Sequence, residues 1–313
     1  MNISKFLSMD RFSRLPNMSS SMSFFYKLGF VRISWSLRRL YCPVDKNMKV
    51  LEIGSGGNPY YRANVLLDSF IHSQERHWEP LVIDRPTVLG YGENLPFKDN
   101  SFDFIIASHV LEHSAYPEKF INELQRVGKA GYIETPDAFM ERINPYHDHR
   151  AEVYIDNKSL VINKKNRWCV DDNLLKLYNN KARNIIANDV IPSNPFIFHA
   201  RLYWKNKIKF KILNPTINSD WPSIDLHEIS ISNQTDFIKK AKKFILLITR
   251  VLFTQKKINS KIEIEKLLIC TSCKSDKLLF AYRKIKCSAC NSFYSYEQGL
   301  PNMTKAMHKI SKL

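Results

Sequence analysis

The sequence predicts a doubly wound α/β sheet with a β-rich elaboration and a small zinc ribbon at the C-terminal end. Three observations carry this. Short apolar runs alternate with helical spacing between residues 49 and 136, a glycine turn follows the first run directly, and two C-x-x-C pairs stand close together near the C-terminus. The chain of 313 residues is long enough for about two domains, and 44% hydrophobic with 25% charged residues is a globular composition, which excludes a fibre or a disordered chain.

Taken in order, residues 1–45 form an arm, Ser- and Met-rich at first and then aromatic and basic (FFYKLGFVRISWSLRRLY), whose second half is expected to dock on the main domain. KVLEIG, ANVLLD and PLVID read as strands, the first closed by the turn GSGGNP. SFDFIIAS (101–108) reads as a strand, PEKFINELQRV (117–127) has helical spacing, and GYIETP (131–136) is a strand stopped by Pro136. From about 150 the pattern turns to β. EVYIDNKSLVINKK and HARLYWKNKIKFKIL are expected hairpins, with Asp156-Asn157 and Lys205-Asn206 near their turns. The expected division is an arm over 1–45, a main domain over 46–235, a basic amphipathic linker helix over 236–262, a zinc ribbon over 263–304 and a tail over 305–313.

The net charge of +17 is unevenly spread. Residues 1–49 hold nine basic and two acidic side chains, 50–150 nine and fifteen, and 151–313 twenty-nine and thirteen, so the basic excess lies at the periphery. Such a periphery can steer an anionic partner, RNA or a surface-glycan or lipid precursor, and codon bias toward Lys, Asn and Ile explains it equally well. Trp168, Tyr203 and Trp204 could stack on bases or sugars, with core packing the commoner role. In the linker helix, Phe237, Ala241, Phe244, Ile248 and Val251 recur at three and four, with Lys239, Lys240, Lys242 and Lys243 between them. Peripheral membrane contact through 236–255, or contact with RNA, is one use of that pattern; packing between domains is the expected one. With no apolar run of about 18 residues and no apolar leader, the chain is expected to lack a transmembrane segment and to be cytoplasmic.

VLEIGSGGNP places Glu52, Gly54, Gly56 and Gly57 at the carboxyl end of a strand, where open α/β sheets bind ligands. A dinucleotide fingerprint needs Gly or Ala at its sixth position, and Pro59, which has no N–H, stands there. The E-x-G-x-G-G pattern, together with GENLPFKDNSFDFIIASHVLEHSAYPEKFINEL, resembles the class I S-adenosylmethionine (SAM) methyltransferases of the small-molecule type, over residues 49 to about 136. The resemblance implies a Rossmann-like domain in which Gly54, Ser55 and Gly56 cradle the amino acid part of the cofactor and Glu52 faces its ammonium. It further implies that Asp68 takes the ribose hydroxyls, with Asp84 as the alternative, that Glu93 and Asn94 border the adenine, and that Ser108 belongs to the same pocket. Asn58 and Tyr91 depart from the family pattern, at the third glycine and at the usual adenine-binding Asp.

His109, Glu112 and His113 are spaced i, i+3 and i+4, so a helical turn would put them on one face. H-x-x-E-H is also a metallopeptidase motif, and its methyltransferase-like frame argues against that use. Ubiquinone-pathway and small-RNA O-methyltransferases carry a similar E-x-x-E-H, which binds a divalent cation with a later His. That resemblance implies that His109, Glu112, His113 and one of His147 or His149, with His149 preferred, line the methyl-transfer pocket as base or metal site. VLEH also occurs in methyltransferases without metal, where it organises the loop below the cofactor.

Cys270, Cys273, Cys287 and Cys290 form two C-x2-C pairs thirteen residues apart, a spacing that closes a tetrahedral structural zinc site. Residues Lys266 to Met303, ending in Gln298-Gly299-Leu300-Pro301, resemble the zinc-ribbon activator that partners tRNA, rRNA and release-factor methyltransferases, with Thr271 in place of its usual Pro. The expected function is methyl transfer from SAM to an anionic acceptor. The alternative is a catalytically inactive methyltransferase-like protein acting as a zinc-ribbon interaction or nucleic-acid-binding module.

Overall fold

The computed structural model describes residues 18–73, 79–143, 145–168, 172–221 and 236–307. Four parallel neighbours surround the glycine turn: β1 (Val50–Ile53), β2 (Val65–Asp68), β3 (Thr87–Leu89) and β4 (Phe104–Ser108), followed by β5 (Ala130–Pro136). They lie in the order β3-β2-β1-β4-β5, all parallel, so the direction of winding reverses between β1 and β4. β1 and β2 are buried along their whole length, which is why they read as continuous apolar runs instead of alternating ones. The helix α3 (Pro117–Val127) covers this sheet with Phe120, Ile121, Leu124 and Val127. Pro117 in its first turn removes a donor that would have no partner, and Gly128 ends it.

The elaboration is mixed rather than wholly β. β6 (Ala151–Asp156) and β7 (Ser159–Lys164) form the expected hairpin, turned by Asn157 and Lys158 at φ 45° and 61°. HARLYWKNKIKFKIL is not a hairpin. β8 (His199–Lys205) pairs antiparallel with β5 in the main sheet, whereas β9 (Phe210–Ile212) pairs with β7 in a separate three-stranded sheet. Its apolar alternation is satisfied by β5, with Ala200, Leu202 and Trp204 buried, so the turn at Asn206 redirects the chain instead of closing a pair. Short helices between Asp172 and Phe198 separate the two β regions. PLVID is also not a strand. Buried Arg85 donates to the carbonyls of Tyr60 and Ala63 and pairs with Asp84 at 2.7 Å, and this side-chain anchor replaces a ladder there.

Four C-terminal strands continue the main sheet: β10 (Leu278–Ala281), β11 (Lys284–Cys287), β12 (Phe293–Glu297) and β13 (Leu300–Met307). β13 lies parallel to β3, Asn302 opposite Leu89, making one sheet of ten strands. Backbone bonds from Ile269 to Pro96 and from Lys98 to Leu267 add a second seam, both 2.9 Å. Cys270, Ile285, Cys287, Tyr294 and Met303 share one apolar core with Leu95 and Phe97.

The second half of the arm consists of α1 (Ser20–Lys27), α2 (Val31–Leu37) and a turn at Arg38–Leu40; residues 1–17 and 308–313 lie outside the described residues. The linker helix forms over Asp236–Phe253, but its apolar stripe is not packed between domains: Phe244, Leu247, Ile248, Val251 and Leu252 are all exposed. The side chains of Phe237, Ala241 and the four lysines lie outside what is described. Among the described residues, no helix is long and apolar enough to cross a membrane.

Candidate active site

The glycine turn lies at the β1/β4 reversal, the place where open α/β sheets accept ligands. Gly54 and Gly56 have φ of 65° and 55°, and a Cβ on Gly54 would collide with Cγ2 of Val110 just beyond β4. The carboxylate of Asp68, at the end of β2, accepts from the Gly56 N–H at 2.9 Å and from Phe70 N at 3.2 Å, tying turn and strand together. Glu52 is buried and accepts from Tyr60 N at 2.7 Å; burial pushes its carboxyl up to about 8, although Arg39, the Tyr60 N–H and Arg85 pull it down. The Ser55 hydroxyl is buried in the turn with no hydrogen-bond partner among the described residues. Residues 54–64 contain turns and no helix, so there is no helix N-terminus to take a pyrophosphate.

The other cofactor candidates separate. Asp84 pairs with Arg85 and, at 3.8 Å, with Arg250 of the linker helix, which commits it elsewhere. Glu93 accepts from Ser114 at 2.6 Å. Asn94 donates to the Thr271 carbonyl at 3.1 Å and accepts from Lys274, so its amide joins the sheet to the cysteine module instead of facing a ligand. Tyr91 stands edge-on to Phe70, ring centroids 6.2 Å apart, and both are partly exposed beyond Asp68. Phe70 had no mark in the sequence beyond its place two residues after that Asp.

A second centre forms around Glu134, fully buried on β5. It accepts from Arg38 at 3.1 Å, from Ser108 at 3.0 Å and from the Tyr132 hydroxyl, and it lies 3.4 Å from His109 Nε2. Burial alone would raise its pKa, but Arg38 and His109 hold the carboxyl well below the usual range. Arg38 stacks on Trp35, and Arg39 bonds the Asn58 carbonyl and covers the Tyr60 ring, so the arm reaches the glycine turn itself.

HVLEH is not one helical face. His109 takes a left-handed φ of 58°, and only Leu111–His113 make a short turn, so the two histidines part and Glu112 lies between them. His109 lies between Glu112 (3.4 Å) and Glu134 (3.4 Å); burial disfavours its charge, but the two carboxylates outweigh it and push the imidazole up to about 9. It therefore carries a proton at neutral pH and is not a free base. His199, across an edge-to-face contact of 5.4 Å, is driven the other way, to about 4, by burial and by His109 and Arg38. Its Nδ1 faces the Pro195 carbonyl at 2.8 Å; the proton belongs on that nitrogen, and Nε2 is left as an acceptor. Sequence reasoning missed His199 because only the β5/β8 pairing brings it here.

His113 turns toward a different set. Glu112, His113 and His149 each offer a ligand atom within 4.8 Å of the others. Among the described residues, Glu112 makes no close hydrogen bond, with His109 Nδ1 at 3.4 Å from its Oε1, and Nδ1 of His113 stands 3.5 Å from Asp148 Oδ2. His149 Nδ1 meets Glu141 at 2.6 Å, and Lys165 holds the other Glu141 oxygen at 2.7 Å, the outer-sphere arrangement that orients a histidine ligand. The donor chemistry suits a divalent cation. His149, not His147, is the member of this cluster.

The four cysteines of the C-terminal module meet. Cys270 and Cys290 lie 3.6 Å apart, as do Cys273 and Cys287, close to the roughly 3.8 Å that tetrahedral zinc with Zn–S bonds of about 2.3 Å requires. The two knuckles repeat one geometry: Lys274 N bonds Cys270 O and Asn291 N bonds Cys287 O, each at 2.9 Å, with Lys274 and Asn291 both left-handed.

Residues 69–133 match the methyltransferase domain family. That match supports a methyltransferase, with SAM the donor the family implies. Among curated proteins, an uncharacterised protein of Methanocaldococcus jannaschii, MJ1123, is 35% identical over 74 residues, 22% of this chain and 36% of its own. The chain thus spans about a third of the length of that relative. Among solved structures, a SAM-dependent methyltransferase from Aquifex aeolicus is 17% identical, with 37% of this chain and 73% of that chain covered and a TM-score of 0.25. The PH0226 protein of Pyrococcus horikoshii is 17% identical, with 54% and 87% covered and a TM-score of 0.29.

Proposed function

We propose that the chain transfers the methyl group of SAM to an anionic acceptor, with the cofactor held at the turn Gly54–Gly56 and the acceptor met between His109 and the arm. The observation that supports this best is the turn: left-handed glycines at the sheet's reversal point, a partnerless buried Ser55 hydroxyl, and Asp68 bonded to the turn it would share with a ribose. Glu52 lies where an ammonium would neutralise it, and Phe70 with Tyr91 offers the adenine an apolar wall. SAM brings an already activated methyl group, so the protein's work is to orient the acceptor and exclude water. Cationic His109 and Arg38 would attract an anionic acceptor, and Nε2 of neutral His199 can accept a hydrogen bond from it. Glu112, His113 and His149 would hold a divalent cation, which would lower the pKa of an acceptor hydroxyl. The cysteine cluster would hold a structural zinc.

Calorimetric titration of the zinc-loaded protein with S-adenosylhomocysteine tests the cofactor site, with NAD as the comparison. Micromolar binding of the first alone supports the reading; binding of neither favours the inactive alternative. Because Glu52 is protonated below about 8 in the free protein and the ammonium favours its carboxylate, binding releases a proton below that pH. The expected Kd weakens by about tenfold per unit from pH 8 down to pH 6 and levels off above 8. Glu52→Gln should abolish that slope, which repeating the titrations across pH would read. For the second cluster, Glu112→Gln is expected to weaken stoichiometric binding of a divalent cation by about 10- to 100-fold while leaving S-adenosylhomocysteine affinity within about twofold. Metal content after dialysis unchanged from the parent chain would remove the metal from this reading.

A further inference from the structure

We infer that the helix Asp236–Phe253 docks this protein on an anionic membrane surface, lying in the plane of the bilayer interface. Phe244, Leu247, Ile248, Val251 and Leu252 are 63%, 56%, 42%, 55% and 69% exposed. At about 100° per residue these five lie within roughly 80° of Phe244, a single continuous stripe. The opposite side binds the protein. Thr249 meets the Tyr61 hydroxyl at 2.7 Å, Phe253 packs near the Tyr61 ring, and Arg250 pairs with Asp84 at 3.8 Å. Just past the helix, Thr254 accepts from Arg85 at 3.3 Å, and Asn64 donates to Gln255 at 3.1 Å and Asn259 at 2.8 Å. The helix is thus held by its polar side with its apolar side turned outward, the reverse of a helix that packs into its own core.

Charge selects the occupant. Between 236 and 257 the sequence carries Lys239, Lys240, Lys242, Lys243, Arg250, Lys256 and Lys257 against the single acid Asp236. A second copy would bring the same cations against themselves, and a nucleic acid backbone has no use for five exposed apolar side chains. An anionic bilayer answers both features: acyl chains for the stripe, headgroups for the cationic sequence. Eighteen residues rise about 27 Å, which suffices to lie along the interface, and the helix is not apolar enough to span it.

The test uses the full zinc-loaded chain and vesicles of phosphatidylcholine with about 30% phosphatidylglycerol, read by flotation. The expected result is flotation with these vesicles and at least about tenfold less with pure phosphatidylcholine, and weakening by salt. The exposed double variant Leu247→Glu/Leu252→Glu is expected to lose vesicle binding by at least about tenfold with its thermal midpoint and S-adenosylhomocysteine affinity unchanged. In a second variant, Leu252→Trp, tryptophan emission should shift to the blue on adding the anionic vesicles. Absence of flotation, flotation that the double variant leaves intact, or a lipid-free dimer that the double variant abolishes would each overturn the inference. Vesicle binding needs no turnover, so its failure is distinguishable from failure of the methyltransferase reading.

Discussion

Chelating the zinc proposed for the cysteine cluster, or replacing Cys287 by Ser, is expected to lower the thermal midpoint of the whole chain by more than about 10 °C. A ribbon that hung on a linker would melt alone and leave the main sheet unchanged. Here β13 is a strand of that sheet, and Cys270, Ile285, Cys287, Tyr294 and Met303 belong to the core that also holds Leu95 and Phe97. Four thiolates drawn within reach of one another are tolerable only around a cation, and without it the knuckles lose their reason to close. Differential scanning calorimetry of the parent chain, the chelated chain and Cys287→Ser decides the matter. One cooperative transition displaced to lower temperature is expected; a small early transition followed by an unmoved main one would show that the module is energetically separate.

Asp68→Ala is expected to weaken S-adenosylhomocysteine binding by at least about 100-fold, the loss that two hydrogen bonds to a charged acceptor represent. The effect has a second component, because the same carboxylate accepts from the Gly56 N–H at 2.9 Å and so shapes the turn. Asp68→Asn keeps an acceptor for that N–H and should recover part of the affinity. Asp84→Ala, whose carboxylate serves Arg85 and Arg250 instead, is expected to change binding by less than about twofold. Titration calorimetry on the three variants reads all of this, and equal losses at Asp68 and Asp84 would move the ribose site.

The parallel strands were legible because burial on both faces leaves continuous apolar runs, as in VLEI and FIIAS. The helix α3 was legible to its end residues because Pro117 opens it and Gly128 closes it. HARLYWKNKIKFKIL misled for a definable reason: alternation reports that a strand has one buried face, not which strand it pairs with, and β8 finds β5 rather than β9. His109 misled similarly. Its i, i+3, i+4 spacing with Glu112 and His113 assumes helical dihedrals, and a residue at φ 58° aims its side chain elsewhere.

The sequence by itself determined the features that depend on local backbone geometry and spacing: the glycine turn, the acid ending β2, and the paired cysteine knuckles. Tertiary structure alone decided the rest. Arg38, Glu134 and His199 come from an arm and two sheet strands far apart in the chain, and Glu141 and Asp148, which meet His149 and His113, follow no spacing rule. It also decided that the linker helix turns its apolar stripe outward. Periodicity defines such a stripe, but only the polar anchors at Tyr61, Asn64, Asp84 and Arg85 choose the side it faces.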